Sequence, residues 1–340
     1  MSRLFILMLV TATLAFASFA SAATNGQEQV TDDVVSTSSQ ALFTMVAGRI
    51  SAIAAPTPNG EVAFDQNIDQ NGKFAFSMDS EDLGLSSGEG GNSFGIWGMG
   101  AYSNFKSSAS GGRYDADAHN LMLGFDWRAT DDLLAGVAVG YGTLDLDKDN
   151  WTGGDTGYLR TDHEWTVMPY AAYNLTDTTI ADFAFAYTDS RYRDNDGTST
   201  GHYDSQRYMT SLGLSQYFMY DRWTLSGRAG YMYVHGDLSS YARGATTIGN
   251  PDSYLGQLNL EGRVSYYFDN GIQPYAALRY FYDTTVSTPP EESDYDEFGG
   301  VLGVNWFAAD QWTINVEAGN TMGRQEFEAY RGQFNVRYEF

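Results

Sequence analysis

The residues most capable of chemistry in this chain are its four histidines, His119, His163, His202 and His235. No two of them stand in the H-x-x-x-H spacing that puts two imidazoles on one helix face for a metal. None lies beside a serine in a nucleophile turn. Gly236-Asp237-Leu238-Ser239 holds the letters of a hydrolase motif, but its serine is displaced and the segment borders a polar loop. Asp162, His163 and Glu164 carry the groups of an acid–base site. Neighbouring residues of a strand point to opposite faces, however, so the three cannot converge. Asp145, Asp147 and Asp149 open like a calcium loop, yet Asn150 replaces its glycine and Thr156 its closing glutamate. A solvated loop is expected there. We expect no catalytic residue, metal or cofactor, and the chain does not read as an enzyme.

A second set of charged residues has a different logic. Arg228, Glu261, Arg263, Arg279, Glu317, Arg331 and Arg337 each sit between apolar or aromatic residues at alternate positions. Facing hydrocarbon near its midplane, an arginine would cost ~2–4 kcal/mol. These side chains are therefore expected to line a wet lumen, with their apolar neighbours turned towards lipid.

The elements that position them are strands. From Ser93 to the end the sequence alternates with period two. Trp223, Leu225, Gly227, Ala229, Tyr231 and Tyr233 share one face, and Thr224, Ser226, Arg228 and Gly230 the other. Tight turns are expected at Thr130-Asp131-Asp132, Thr176-Asp177-Thr178, Tyr220-Asp221-Arg222, Asp269-Asn270-Gly271 and Ala309-Asp310-Gln311. Longer polar loops are expected at Lys106–Arg113, Lys148–Arg160, Arg193–Gly201, Leu238–Asn250, Val286–Asp294 and, shorter, near Gly323. Short turns at one end and long loops at the other are the asymmetry of an outer-membrane barrel, here of about twelve antiparallel strands. Trp97, Trp127, Trp165, Trp223, Trp306 and Trp312 lie near strand ends, where amphipathic rings favour the membrane interface.

Composition narrows the classes further. The net charge is −24, with 43 Asp+Glu against 19 Lys+Arg, which argues against a nucleic-acid partner. Cysteine is absent, so no disulfide framework supports the fold. A closed ladder of backbone hydrogen bonds makes one unnecessary.

The N-terminal region divides into two parts. Residues 1–22 read as a signal peptide: Arg3 supplies the positive start, Leu4 to Phe19 the apolar run, and Ala20-Ser21-Ala22 the cleavage site. Residues 23–92 form a short segment holding a helix at 34–53 and a Gly/Ser-rich linker, and 93–340 form the barrel. Asp32 and Asp33 precede the helix, where carboxylates suit its positive end. Gln40, Leu42, Val46, Arg49 and Ile53 mark its faces. At ~1.5 Å rise the helix spans about 30 Å, close to the hydrocarbon thickness, and we expect it inside the pore as a plug. Arg49 would then need a carboxylate, with Glu261 and Glu317 as candidates.

The last strand carries a specific signal. Phe334, Val336, Tyr338 and Phe340 share one face, with the chain ending on Phe340. This pattern is similar to the signature read by the barrel assembly machinery.

Taken in order, several stretches resemble the autotransporter β-domain family. They are Gln40-Ala41-Leu42-Phe43, Ala47-Gly48-Arg49-Ile50-Ser51, Phe94-Gly95-Ile96-Trp97-Gly98-Met99-Gly100, Tyr114-Asp115-Ala116-Asp117, Leu134 to Gly142, and the Tyr-Glu-Phe end. The resemblance covers roughly Gln40 to Phe340. It implies a twelve-stranded translocator barrel of type V secretion, with a helix threading the pore towards a secreted passenger. Only residues 23–33 lie between the cleavage site and the helix, so the chain is expected to lack a sizeable passenger. The alternative is a general outer-membrane channel or a surface-binding barrel. Expected partners are outer-membrane lipid with lipopolysaccharide and the assembly machinery, with the barrel itself monomeric.

Overall fold

The computed structural model describes residues 34, 37–45 and 47–48. From 94 to 339 it describes all but 109–112, 131, 152–154, 250–251, 288–294, 310–311 and 325–326. The signal peptide, the linker, Val46, Arg49, Ile53 and Phe340 lie outside the described residues.

Among the described residues, fourteen strands follow a short helix, α1, described at residues 37–45. They are β1 (Phe94–Ser107), β2 (Arg113–Arg128), β3 (Leu133–Trp151), β4 (Asp155–Thr176), β5 (Thr179–Asn195), β6 (Thr200–Tyr220) and β7 (Trp223–Leu238). Then come β8 (Tyr241–Arg243), β9 (Thr246–Ile248), β10 (Ser253–Tyr266), β11 (Ile272–Val286), β12 (Asp296–Ala309), β13 (Trp312–Met322) and β14 (Phe327–Glu339). Twelve of them close into one antiparallel barrel, in which β14 pairs back onto β1; β8 and β9 form a separate two-stranded sheet. Closure leaves no edge strand unpaired, which is what a β structure needs in hydrocarbon.

The barrel turns its apolar residues outwards. Leu278 is 74% exposed and Leu302 69%, with Leu212, Leu225, Val139 and Val316 also exposed on the same surface. Rings fringe this band. Trp165, Tyr187 and Tyr208 run in series at one margin, with centroids 5.5 and 5.3 Å apart. At the other margin Trp223 meets Tyr266 at 4.9 Å and Trp312 meets Tyr338 at 4.8 Å. From Tyr208 to Tyr220, β6 climbs roughly 30 Å at ~3.3 Å rise and ~40° tilt, the thickness of a hydrocarbon core.

The turns at one end are tight. Asp177–Thr178 joins β4 to β5, and Asp221–Arg222 joins β6 to β7, with Asp221 in the left-handed region at φ 52°. At the opposite end the expected long loops are partly replaced by strand. Lys148–Arg160 is not a loop: β3 runs on to Trp151 and β4 begins at Asp155. Asp145, Asp147 and Asp149 therefore lie along one face of β3, pointing outwards, and Arg160 bonds Asp145 at 2.7 Å across the ladder. The Leu238–Asn250 segment likewise contains the β8–β9 hairpin. The rim is uneven as a result. β3, β4 and β6 have 19, 22 and 21 residues, whereas β13 and β14 have 11 and 13.

Trp97 is a correction to the expected aromatic belt. It points into the barrel, where its Nε1 donates to the Tyr170 hydroxyl at 2.7 Å. The ring fits because Gly124, opposite it on β2, has no side chain; a Cβ there would overlap the indole. Gly136 under Tyr170 and Gly303 under Tyr275 leave the same kind of recess. These inward glycines thus make room for rings of the barrel wall itself.

Candidate functional site

The candidate site is the lumen and what occupies it. Each of the seven charged residues expected there points inwards. Arg228 grips Asp182 through both terminal nitrogens, one bond measuring 2.8 Å. Arg279 bonds Glu261 at 2.7 Å and Glu317 at 3.0 Å, while Arg263 bonds Glu261 at 3.0 Å and lies over the Tyr275 ring. Arg337 reaches Asp126 at 3.3 Å. Burying any one of these ions alone would cost several kcal/mol, and a facing carboxylate offsets that cost for Arg228, Arg263, Arg279 and Arg337.

Sequence reasoning missed several partners. Asp182, Glu164 and Arg207 sit on inward positions of β5, β4 and β6. Arg207 bonds Glu164 at 2.5 Å, and Glu164 also accepts from Ser190 at 2.9 Å and Tyr192 at 3.0 Å. Glu164 faces inwards and His163 outwards, so the Asp162-His163-Glu164 triplet is split between two faces. Asp162 instead meets Arg193 at 2.7 Å and His202 at 2.9 Å on the outer surface. Counting inward positions along each strand would have found Asp182 and Arg207, since both obey the same alternation as Arg228.

Helix α1 lies within this lumen, held by side chains from opposite walls. Gln40 donates to Glu297 of β12 at 2.8 Å, and Glu297 is also paired with Arg324 at 3.1 Å. Arg331 of β14 donates to Thr44 at 2.7 Å and towards the Gln40 carbonyl at 3.4 Å. From the other side Arg207 of β6 donates to Ser38, and Arg228 of β7 lies 5.3 Å from the Phe43 ring centroid. Gly230 leaves space for that ring on β7, and Gly48 faces Gln333. Leu42, Phe43, Met45 and Ala47 pack with Met99, Met122, Met168 and Met232 of the wall. A small cavity lies beside Phe43 and Thr44, bounded by Arg228, Asn259, Glu261 and Arg279. Glu261 and Glu317, the expected partners of Arg49, are already engaged by arginines of the wall.

The helix has a defined direction. Val34 is buried among Phe105, Tyr114, Leu146 and Leu159, near the long-loop end, while Ala47 packs deeper among the methionines. The described residues thus form a twelve-stranded antiparallel barrel with a helix of the same chain inside it, and most of the barrel sequence matches a known domain. The autotransporter β-domain profile matches residues 96–293. The chain belongs to the autotransporter β-domain family. Barrels of this family are outer-membrane translocator domains of type V secretion, and the outward apolar band of this autotransporter barrel is its transmembrane surface.

Solved structures agree on the fold. The translocator domain of autotransporter NalP from Neisseria meningitidis shares 12% identity at a TM-score of 0.60, covering 77% of this chain and 92% of that one. The β-domain of the Bordetella autotransporter BrkA shares 19% identity at 0.60, covering 72% and 98%. The transport unit of AIDA-I from Escherichia coli shares 13% identity at 0.57, covering 73% and 90%. No curated protein matches the chain.

Proposed function

We propose that this autotransporter barrel resides in the bacterial outer membrane, with its long-loop end outside the cell, and keeps its N-terminal helix in the lumen as a plug. One observation carries the reading: α1 is braced by Ser38, Gln40, Phe43 and Thr44 against β6, β7, β12 and β14. A helix gripped from opposite walls obstructs the lumen, and its Val34 lies at the long-loop end. Gln40 and Leu42 belong to this plug by position, and Val46, Arg49 and Ile53 extend it in sequence. The lumen-lining ion pairs hold the wall around it.

Insertion is assigned to the closing strand. Phe334 and Tyr338 of β14 face outwards with Val336 between them, and Phe340 follows them in sequence, the pattern offered to the assembly machinery. Lipopolysaccharide would meet the polar outer surface above the upper ring belt, where Arg160, Arg191 and Arg193 stand among carboxylates.

The test is the fate of the segment before the helix. An epitope inserted between Ala23 and Thr24 should be labelled by antibody on intact cells. A tag reached only after the outer membrane is permeabilised would overturn the reading.

A further inference from the structure

Above α1 the inner wall carries an apolar and aromatic cluster. Beyond the upper ring belt, β3 to β6 continue as a wall, and its inner face buries Leu146, Leu159, Tyr192 and Tyr203. The β8–β9 hairpin folds inwards onto that face. Tyr192, Tyr203 and Tyr241 stack in series with centroids 5.2 and 5.1 Å apart. Gly201 permits the approach, because a Cβ there would lie 2.5 Å from the Tyr241 ring.

A buried carboxylate fastens the hairpin. Asp194 of β5 is 0% exposed and accepts from three donors: Lys148 of β3, the Tyr241 hydroxyl and Arg243 of β8, the last at 2.6 Å. Arg243 also meets Asp196 at 3.1 Å. Lifting the hairpin would remove two of these donors and expose the tyrosine stack. It would break no barrel ladder, because β8 and β9 pair only with each other. Ser239 marks the hinge. Its N–H donates to the Asp204 carbonyl at 3.0 Å, and its hydroxyl accepts from the Asp204 N–H at 2.9 Å.

We propose that β8–β9 is a latched lid over the long-loop mouth, a second barrier in series with the helix, with Asp194 as its catch. The proposal deepens the translocator reading and rests on it: Val34 and Tyr241 belong to one buried cluster at the long-loop end, so export through this mouth requires the lid to swing out, and closure follows when Tyr241 and Arg243 return to Asp194. Two features separate a lid from a fixed ornament. The hairpin is covalently part of the barrel yet outside its hydrogen-bonded sheet. Its inner surface carries the buried Tyr241 ring, while its charged hold on the wall is made to Asp194 and Asp196, of which Asp194 is fully buried and costly to leave unpaired.

The absence of cysteine allows a direct test in the full chain. Ser205 is buried on the inner face of β6, two positions below Tyr203, and Ser265 is buried near the short-turn end. Refolded Ser205→Cys protein should react slowly with a charged methanethiosulfonate reagent. Adding Asp194→Asn, or separately Tyr241→Ala, should raise that rate at least tenfold and leave the rate of Ser265→Cys unchanged. Heat-dependent gel mobility selects folded protein, and the second variant carries the test if the first fails to fold. An unchanged Ser205→Cys rate in the folded variants would overturn the lid. Equal acceleration at both cysteines would also overturn it, as general loosening. Surface labelling of the N-terminal epitope reports whether the chain crosses, whatever the lid does, so the two readings fail separately.

Discussion

The Arg331 guanidinium donates to Thr44 Oγ1 across 2.7 Å, so the last strand of the barrel holds the helix that precedes the first. The same threonine bonds back to the Gln40 carbonyl at 2.7 Å, which fixes its hydroxyl for the arginine. Thr44→Val keeps the shape and deletes the acceptor. A hydrogen bond to a charged group is worth about 1.5–3 kcal/mol, so the thermal midpoint of the folded form should fall. Thr44→Ser should keep most of the stability. Equal midpoints for the valine and serine variants would show that Arg331 does not depend on this contact.

Gly124 and Trp97 make a separable pair. A side chain at 124 would overlap the indole, so Gly124→Val should sharply lower the fraction of protein in the compact, heat-modifiable form. Overpacking of this kind costs about 1–3 kcal/mol. Combining it with Trp97→Ala should restore assembly, at lower final stability because a large buried ring is lost. If the double variant assembles no better than Gly124→Val alone, the recess is not what the glycine supplies.

The chain terminus gives a contrast between adjacent residues. Deleting Phe340 should lower the amount of folded barrel and leave unfolded protein in the periplasm, whereas Glu339→Gln should matter much less. Pulse-labelled cells fractionated by gel mobility would show it. Equal loss from both changes would contradict the role assigned to the aromatic face.

Acid should act on the lid before the barrel. Burial alone would push the Asp194 carboxyl up, but Lys148, Tyr241 and Arg243 overcome this and hold it below the ordinary carboxylate range. Asp196 is held at about 2, first by the Ser199 N–H and then by the Thr198 hydroxyl and N–H. Both carboxyls are depressed, so their contribution is complete above the ordinary value near 3.8 and is lost as pH falls through the folded values. Of the cations facing Asp194, Arg243 is raised against the effect of burial by the Asp194 and Asp196 carboxylates, whereas burial lowers Lys148. The Ser205→Cys labelling rate should therefore be flat, after correction for reagent chemistry, from neutral pH to about 4, and rise below it. A rise between pH 8 and 6 would point to other groups.

Much of the barrel was legible in the alternation. Arg228, Glu261 and Arg337 point inwards because lipid would not accept them, and that argument needs no coordinates. Trp97 misled because indole suits an interface and a lumen equally. Its alternation partners Met99 and Ala101 gave no preference, since Gly98 and Gly100 on the other face are small. The Lys148–Arg160 segment misled for another reason. Along β3 the sense of the pattern reverses above the ring belt: Val137 and Val139 face out below it, and Asp145 and Asp147 face out above it. Leu144 and Leu146 turn inwards there. Period two continues unbroken, but the charged outer face makes the stretch look like loop. The Lys148–Asp194 pair was not legible at all, because it joins β3 to β5 across an intervening strand.

Arg337 and Asp126 belong to β14 and β2, which are not neighbours; β1 runs between them. Their side chains meet over Gly95, where a Cβ would lie 2.5 Å from the carboxylate and 2.8 Å from the guanidinium. The last strand to be made is thereby read by the second, across a bare point on the first. If β14 slipped by two residues along β1, a different side chain would arrive above Gly95, and Asp126 would be left buried without its arginine. The ion pair thus acts as a proofreader of closure, admitting one register of the seam and penalising its neighbours.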